Sequence, residues 1–199
     1  MKVTAIKQQA RDVSRYSVFV DNKYSFSLSE SALLNSKLVS GQELDDLGLD
    51  RFMQLSTDDK LYNQALHYVA ARSKTEGEIR DYLRRKNASD ELADETIDRL
   101  SRIGLIDDEA YVRSYINSRQ NLKPTSKRKL IADLSKKHIK RSLISDIMDE
   151  TEVDESSALK YLIEQKRRQL KYRDDAKLMQ YLARQGFNYG DIKSAIESA

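Results

Sequence analysis

Two hydrophobic periods share the chain, and the change between them falls near residue 56. Early on, apolar residues come in short aromatic and β-branched runs, Tyr16-Ser17-Val18-Phe19-Val20 and Tyr24-Ser25-Phe26-Ser27-Leu28. They flank Asp21-Asn22-Lys23, residue types that tolerate a left-handed backbone, so the pattern predicts a β-hairpin. Val3-Thr4-Ala5-Ile6 is a candidate third strand. Ser29 is placed to cap a short helix running through Leu38, and Gly41 ends it. Residues 1–56 therefore read as a small β-hairpin-plus-helix module.

From Leu61 onward the spacing is three-four throughout, the period of amphipathic helices. Leu61, Tyr62, Ala65, Leu66, Tyr68 and Val69 mark a first helix up to Arg72. Thr75-Glu76-Gly77-Glu78 is a capping box opening a second, with Ile79, Tyr82 and Leu83 on one face. Ser89 caps a third, carrying Leu92, Ile97 and Leu100, and Gly104 closes it. The same three-helix pattern returns twice. Ala110-Tyr111 to Arg119, Leu130 to Leu134 and Leu143 to Met148 form the second copy. Ala158-Leu159 to Arg167, Ala176 to Leu182 and Ile192 to Ile196 form the third. The copies recur at roughly 45–48 residues, the range of helical repeats. None of these short helices buries its apolar stripe alone, so the copies are expected to stack. The expected fold is mainly α: three tandem three-helix repeats, 57–106, 107–154 and 155–199, forming a curved elongated body behind the module at 1–56. Leu105 to Arg119 marks the joint between the first two copies.

Composition sharpens this reading. Of 199 residues, 34% are charged and 39% hydrophobic, and the mean hydropathy is −0.70; the surface is polar, yet a core is available. Six Gly and one Pro suit a helical chain. The absence of Cys excludes disulfides and thiolate chemistry. No apolar run approaches the roughly 20 residues of a membrane span, and the start lacks a signal-peptide core, so a soluble cytoplasmic protein is expected.

The net charge of +3 matters because of where it falls. Between Arg113 and Arg141 stand Arg119, Lys123, Lys127, Arg128, Lys129, Lys136, Lys137 and Lys140, opposed by the single acid Asp133. A second basic stretch carries Lys160, Lys166, Arg167, Arg168, Lys171, Arg173, Lys177 and Arg184. Such an imbalance points to a face for nucleic acid or an acidic protein surface rather than to solubility alone. The candidate contacts are Arg119, Lys123, Lys127, Arg128, Lys137, Lys140, Arg141, Lys171, Arg173 and Arg184. Arg119, like Arg72 and Arg167, stands near a helix C-terminus and reads first as a dipole partner, with contact as a second role.

Catalytic signatures are scarce. No phosphate-binding glycine loop occurs, and His67 and His138 lie far apart without clustered ligands, so neither metal nor cofactor is expected. His138 suits a helix end with left-handed backbone. Asp107-Asp108-Glu109 could pass for a carboxylate cluster, but a cap followed by acids at the positive end of a helix is the stronger reading. The tyrosines fall at helical spacing beside aliphatics and read as packing.

The residues Ala65–Leu83, Leu105–Arg119, Leu130–Leu134 and the turn Gly186-Phe187 after Leu182 resemble the RecX family of bacterial recombination regulators. Arg72-Ser73-Lys74-Thr75-Glu76 matches its R-S-x-x-E segment, and Leu105-Ile106-Asp107-Asp108 its D-D motif. The resemblance covers 61 to the end, and the N-terminal module is similar to the extension of longer members. His138 stands where the family usually has glycine, and Lys123-Pro124 where a glycine-containing segment is common. The resemblance implies a non-enzymatic, monomeric modulator that binds the groove of the RecA–DNA filament and inhibits ATPase and strand exchange. Single- and double-stranded DNA would be contacted weakly or through RecA. Alternatives of other classes are a DNA-binding repeat protein with no RecA requirement, and a helical adaptor for an unrelated acidic protein.

Overall fold

In the computed structural model, residues 1–198 are described; Ala199, the last residue of the expected third repeat, lies outside them. The chain divides into two compact bodies. The first is Met1–Arg72 with Ile79–Leu105; the second is Ser73–Glu78 with the chain from Ile106 onward.

The first body opens with an antiparallel sheet of β1 (Val3–Gln8), β2 (Arg15–Val20) and β3 (Lys23–Ser29), in that order. Val20 pairs with Lys23 across a two-residue turn in which Asp21 and Asn22 have φ of 47° and 63°. Both central residues left-handed is the turn whose twist matches a hairpin. Val3-Thr4-Ala5-Ile6 does form the third strand, in a register that shifts between Val3 and Ala5. Val3, Val18, Val20, Phe26 and Leu28 face a core shared with Leu38 and Leu44, and Phe52 stacks on Phe26 at 5.9 Å between ring centroids.

Helix α1 (Glu30–Ser36) follows, with Ser29 as its cap as expected; it stops two residues short of Leu38 because Lys37 turns left-handed at φ 54°. Helix α2 (Asp46–Ala70) then runs unbroken through residue 56, where the change of period suggested a boundary. Its middle holds on to the sheet instead of breaking. Ser56 Oγ donates to the Ser27 carbonyl at 2.7 Å, and Asp59 is buried as the partner of four groups. It takes the Ser29 amide at 2.9 Å, Asn63 Nδ2 at 3.0 Å and the Arg15 guanidinium at 3.0 Å, besides the Ser29 hydroxyl. A buried carboxylate is tolerated only when satisfied in this way.

The later part of α2 completes the first three-helix group with α3 (Glu76–Arg85) and α4 (Asp90–Arg102). Within the first body Tyr68 stacks on Tyr82 at 4.4 Å, and the Arg99 guanidinium lies 3.7 Å from the Tyr62 ring centroid.

In the second body, α5 (Asp108–Leu122), α6 (Lys127–Ser135) and α7 (Arg141–Glu150) enclose Val112, Ile116, Leu130, Leu134, Ile144 and Ile147. Helix α8 (Glu155–Arg167), a 3-10 turn (Leu170–Tyr172), α9 (Asp175–Arg184) and α10 (Tyr189–Glu197) enclose Leu159, Ile163, Leu178, Leu182, Phe187 and Ile192. In each group the second and third helices are joined through one left-handed residue: Asn87 (φ 59°), His138 (φ 59°) and Gly186 (φ 91°). The repeat seen in the hydrophobic spacing is thus present as three groups of three helices. Among the described residues no helix is long and apolar enough to cross a membrane.

Candidate anionic-partner interface

Helix starts carry partial positive charge, and acidic residues there are stabilising. Eight of the helices follow this rule with an acid in the first turn. Among the described residues α6 and α7 alone begin without one. Helix α6 opens on Lys127-Arg128-Lys129, with Ser126 as its cap accepting the Lys129 amide at 3.1 Å. Helix α7 opens on Arg141 behind Lys140, whose side chain makes no capping bond. Each cation placed so costs about 0.3–1 kcal/mol of helix stability. The result is positive side chains at two helix starts: at α6 the first amide is already met by Glu155 Oε1 at 2.9 Å, whereas α7 has no capping side chain.

The candidate residues separate into two kinds. Lys127, Arg128, Lys140 and Arg141 are exposed at these two helix starts. Arg184 is exposed in the last turn of α9, two residues before Gly186. A β-carbon at Gly186 would lie 3.2 Å from that of Arg128. Lys123 is exposed just past α5, while Lys171 and Arg173 sit on the separate 3-10 turn and its end. Lys171 lies 5.6 Å from the Tyr172 ring centroid.

Lys137 and Arg119 are committed elsewhere. Lys137 Nζ is 2.8 Å from Glu78 Oε1 and 5.4 Å from the Tyr111 ring centroid. Burial pushes its pKa down, but hydrogen bonding to Glu78 and Tyr111 prevails and holds it above the usual lysine value. The Arg119 guanidinium lies over Tyr115 at 4.9 Å, donates to the phenol oxygen at 2.7 Å and stands 4.0 Å from Asp133. The phenol itself donates to Asp133 at 3.1 Å, and burial, above all, raises its pKa. Arg119 is therefore a part of the packing first, as its place in the helix suggests.

Asp107 caps α5, its carboxylate accepting the Ala110 amide at 2.8 Å. Asp108 does more than favour its own helix start. Its Oδ1 accepts the Glu76 amide of α3 at 2.9 Å, and burial raises its pKa against the opposing effect of that bond. Residue patterning did not reveal this second role. The acidic doublet recurs as Asp154-Glu155 at the start of α8, but also as Asp45-Asp46 and Asp174-Asp175 at α2 and α9, so by itself it does not signal the role. Among the described residues, no three His, Cys, Asp or Glu side chains converge as metal ligands.

These features define a helical-repeat protein, fronted by a small sheet, whose distinctive chemistry is a set of cations at helix starts. Family descriptions resolve the class further: RecX N-terminal domain matches residues 1–45, RecX first three-helix domain 62–100, and RecX second three-helix domain 107–148. The chain belongs to the RecX family. Regulatory protein RecX of Listeria innocua is 30% identical over 150 residues, 75% of this chain; the match spans only 56% of that relative's length. The protein of the same name from Oceanobacillus iheyensis is 27% identical over 98% of this chain and 76% of its own. A crystal structure of regulatory protein RecX superimposes with a TM-score of 0.74 at 28% identity, covering 97% of this chain and 98% of that one. RecX from Lactobacillus salivarius gives 0.60 at 26% identity over 71% and 96%. The name these relatives carry is that of regulatory proteins.

Proposed function

We propose that this chain regulates the RecA recombinase in the cytoplasm by binding the RecA–DNA filament as a monomer, most simply as an inhibitor of ATPase and strand exchange. The observation that carries the reading is the basic start of α6 and of α7 in a RecX-family helical array. The side chains of Lys127, Arg128, Lys140 and Arg141 are exposed at these starts, cations that suit an anionic partner, and a filament offers both acidic protein and DNA backbone. The second and third three-helix groups would bridge neighbouring RecA protomers and oppose the rearrangements that accompany hydrolysis. The test is RecA ATPase on single-stranded DNA with this protein added. Inhibition saturating near one protein per few protomers is expected, and an unchanged rate at stoichiometric protein sinks the reading.

A second reading, direct DNA binding without RecA, draws on the exposure of Lys127 and Arg128 at the α6 start and of Arg184 at the end of α9. It requires tight binding to bare DNA that weakens steeply as salt rises. Filament binding that far exceeds bare-DNA binding would set it aside.

A further inference from the structure

The start of α6 is held by the group that follows it, at two points. The hydroxyl of Ser126, fully buried, donates to the Gln185 carbonyl at 2.6 Å while accepting the Lys129 amide. The Lys127 amide donates to Glu155 Oε1 at 2.9 Å. Gln185 precedes the left-handed Gly186 between α9 and α10, and Glu155 is the first residue of α8.

The start of α3, in the second body, is held identically. Thr75 Oγ1 donates to the Lys137 carbonyl at 2.6 Å and accepts the Glu78 amide. The Glu76 amide donates to Asp108, the first residue of α5. In both places a cap hydroxyl reaches the carbonyl before the left-handed turn of the next group. In both, the first amide of the helix reaches the first carboxylate of that group. The first body holds a related contact, the Ser29 amide on Asp59. Recurrence at non-equivalent sequences marks a device rather than an accident of packing.

We propose that Ser126 and Glu155 are positioning residues: this two-point clasp fixes the second and third three-helix groups in one register, so that Lys127, Arg128 and Arg184 present a single surface. The consequence for binding rests on the function proposed above; the positioning itself does not. A cap alone would not need a hydroxyl. Asp174 caps α9 through the Lys177 amide with a carboxylate, which accepts but cannot donate. At α3 and α6 the cap hydroxyl does both, accepting from its own helix and donating to the group that follows.

That distinction supplies the test. The chain has no Cys, so Ser145→Cys on α7 and Gln180→Cys on α9 admit a pair of spin labels on exposed positions of the two groups. The distance distribution between them is measured in the full chain without any partner. Ser126→Asp keeps the cap of α6 but loses the donor, and Glu155→Ala loses the acceptor. Both are expected to broaden the distribution and to speed exchange of the Lys127 amide about five- to tenfold, with helix content unchanged. Ser126→Thr and Glu155→Gln retain donor and acceptor and are expected to keep the narrow distribution. Unchanged distributions in Ser126→Asp and Glu155→Ala, or equal broadening in all four variants, overturn the proposal. RecA binding by the same proteins is read separately. Broadening without weaker binding overturns the single-surface consequence, while ordinary protein that never binds RecA overturns only the proposed function.

Discussion

The carboxylate of Asp108 accepts the main-chain amide of Glu76 at 2.9 Å, thirty-two positions back along the chain. The residue most easily mistaken for part of an active site thus holds the start of another helix. Asp108→Ala removes a charge-assisted hydrogen bond and is expected to destabilise the protein by about 1.5–3 kcal/mol. Asp107→Ala removes only a cap and should cost about 1 kcal/mol. Urea unfolding of the two variants checks the order.

Asp108 and Glu78 should respond to acid in opposite senses. Burial raises the Asp108 pKa above its ordinary 3.8, so its contribution is greatest below that value and declines as pH rises through the raised one. Burial acts the same way on Glu78, but hydrogen bonds from Lys137 and the Thr75 amide prevail and hold it below 4.5. Its contribution is present above 4.5 and lost as pH falls through the lowered value. Unfolding free energies measured from about pH 3 to 7 should therefore show Glu78→Gln flattening the acid-side loss and Asp108→Asn removing a decline toward neutrality.

Arg128→Glu and Arg141→Glu should strengthen the fold and weaken the interaction. Each replaces a cation at a helix start with the favoured sign, a gain of about 0.3–1 kcal/mol at low salt. The same changes should weaken filament binding, with a shallower dependence on salt. Lys137→Met should instead weaken the fold, by about 1 kcal/mol with the loss of its partly exposed Glu78 partner, and leave binding unchanged. Thermal unfolding beside a binding titration separates the two kinds of cation.

Arg15→Met leaves the Asp59 carboxylate buried without its counter-charge; the two side chains are only 14% and 6% exposed. A loss of about 3–5 kcal/mol is expected, concentrated in the first body. Hydrogen exchange across β2, β3 and α2 would register it, and exchange confined to the termini would contradict it.

Gly77→Ala should be harmful despite alanine's better helix propensity. A β-carbon there would collide with that of His138 and lie 3.2 Å from the Lys137 and His138 carbonyls. Overpacking costs about 1–3 kcal/mol, against roughly 1 kcal/mol gained from propensity. Combining it with His138→Gly should recover much of the loss, a coupling measurable as a double-mutant cycle.

The hydrophobic periods disclosed the hairpin, the caps at Ser29, Thr75 and Ser89, and the three helical groups, because each depends on neighbours a few positions apart. What they could not disclose depends on distant partners. Nothing near Asp59 foretells Arg15 and Ser29, and so nothing foretells that α2 continues through residue 56. Charge counting likewise grouped Lys137 with Lys127, although one meets Glu78 and the other solvent. Position relative to a helix start was the better guide, and it was already written in Lys127-Arg128-Lys129.

The glycines at the two clasps lie on opposite sides. Gly77 makes room for His138, whereas Gly186 makes room for Arg128. A duplicated middle group stacked on a copy of itself would bring Arg128 against His138, two side chains contending for space that elsewhere admits one. The order of the groups is thereby encoded in two residues without side chains. Shuffling or doubling a group would require a matching glycine to travel with it.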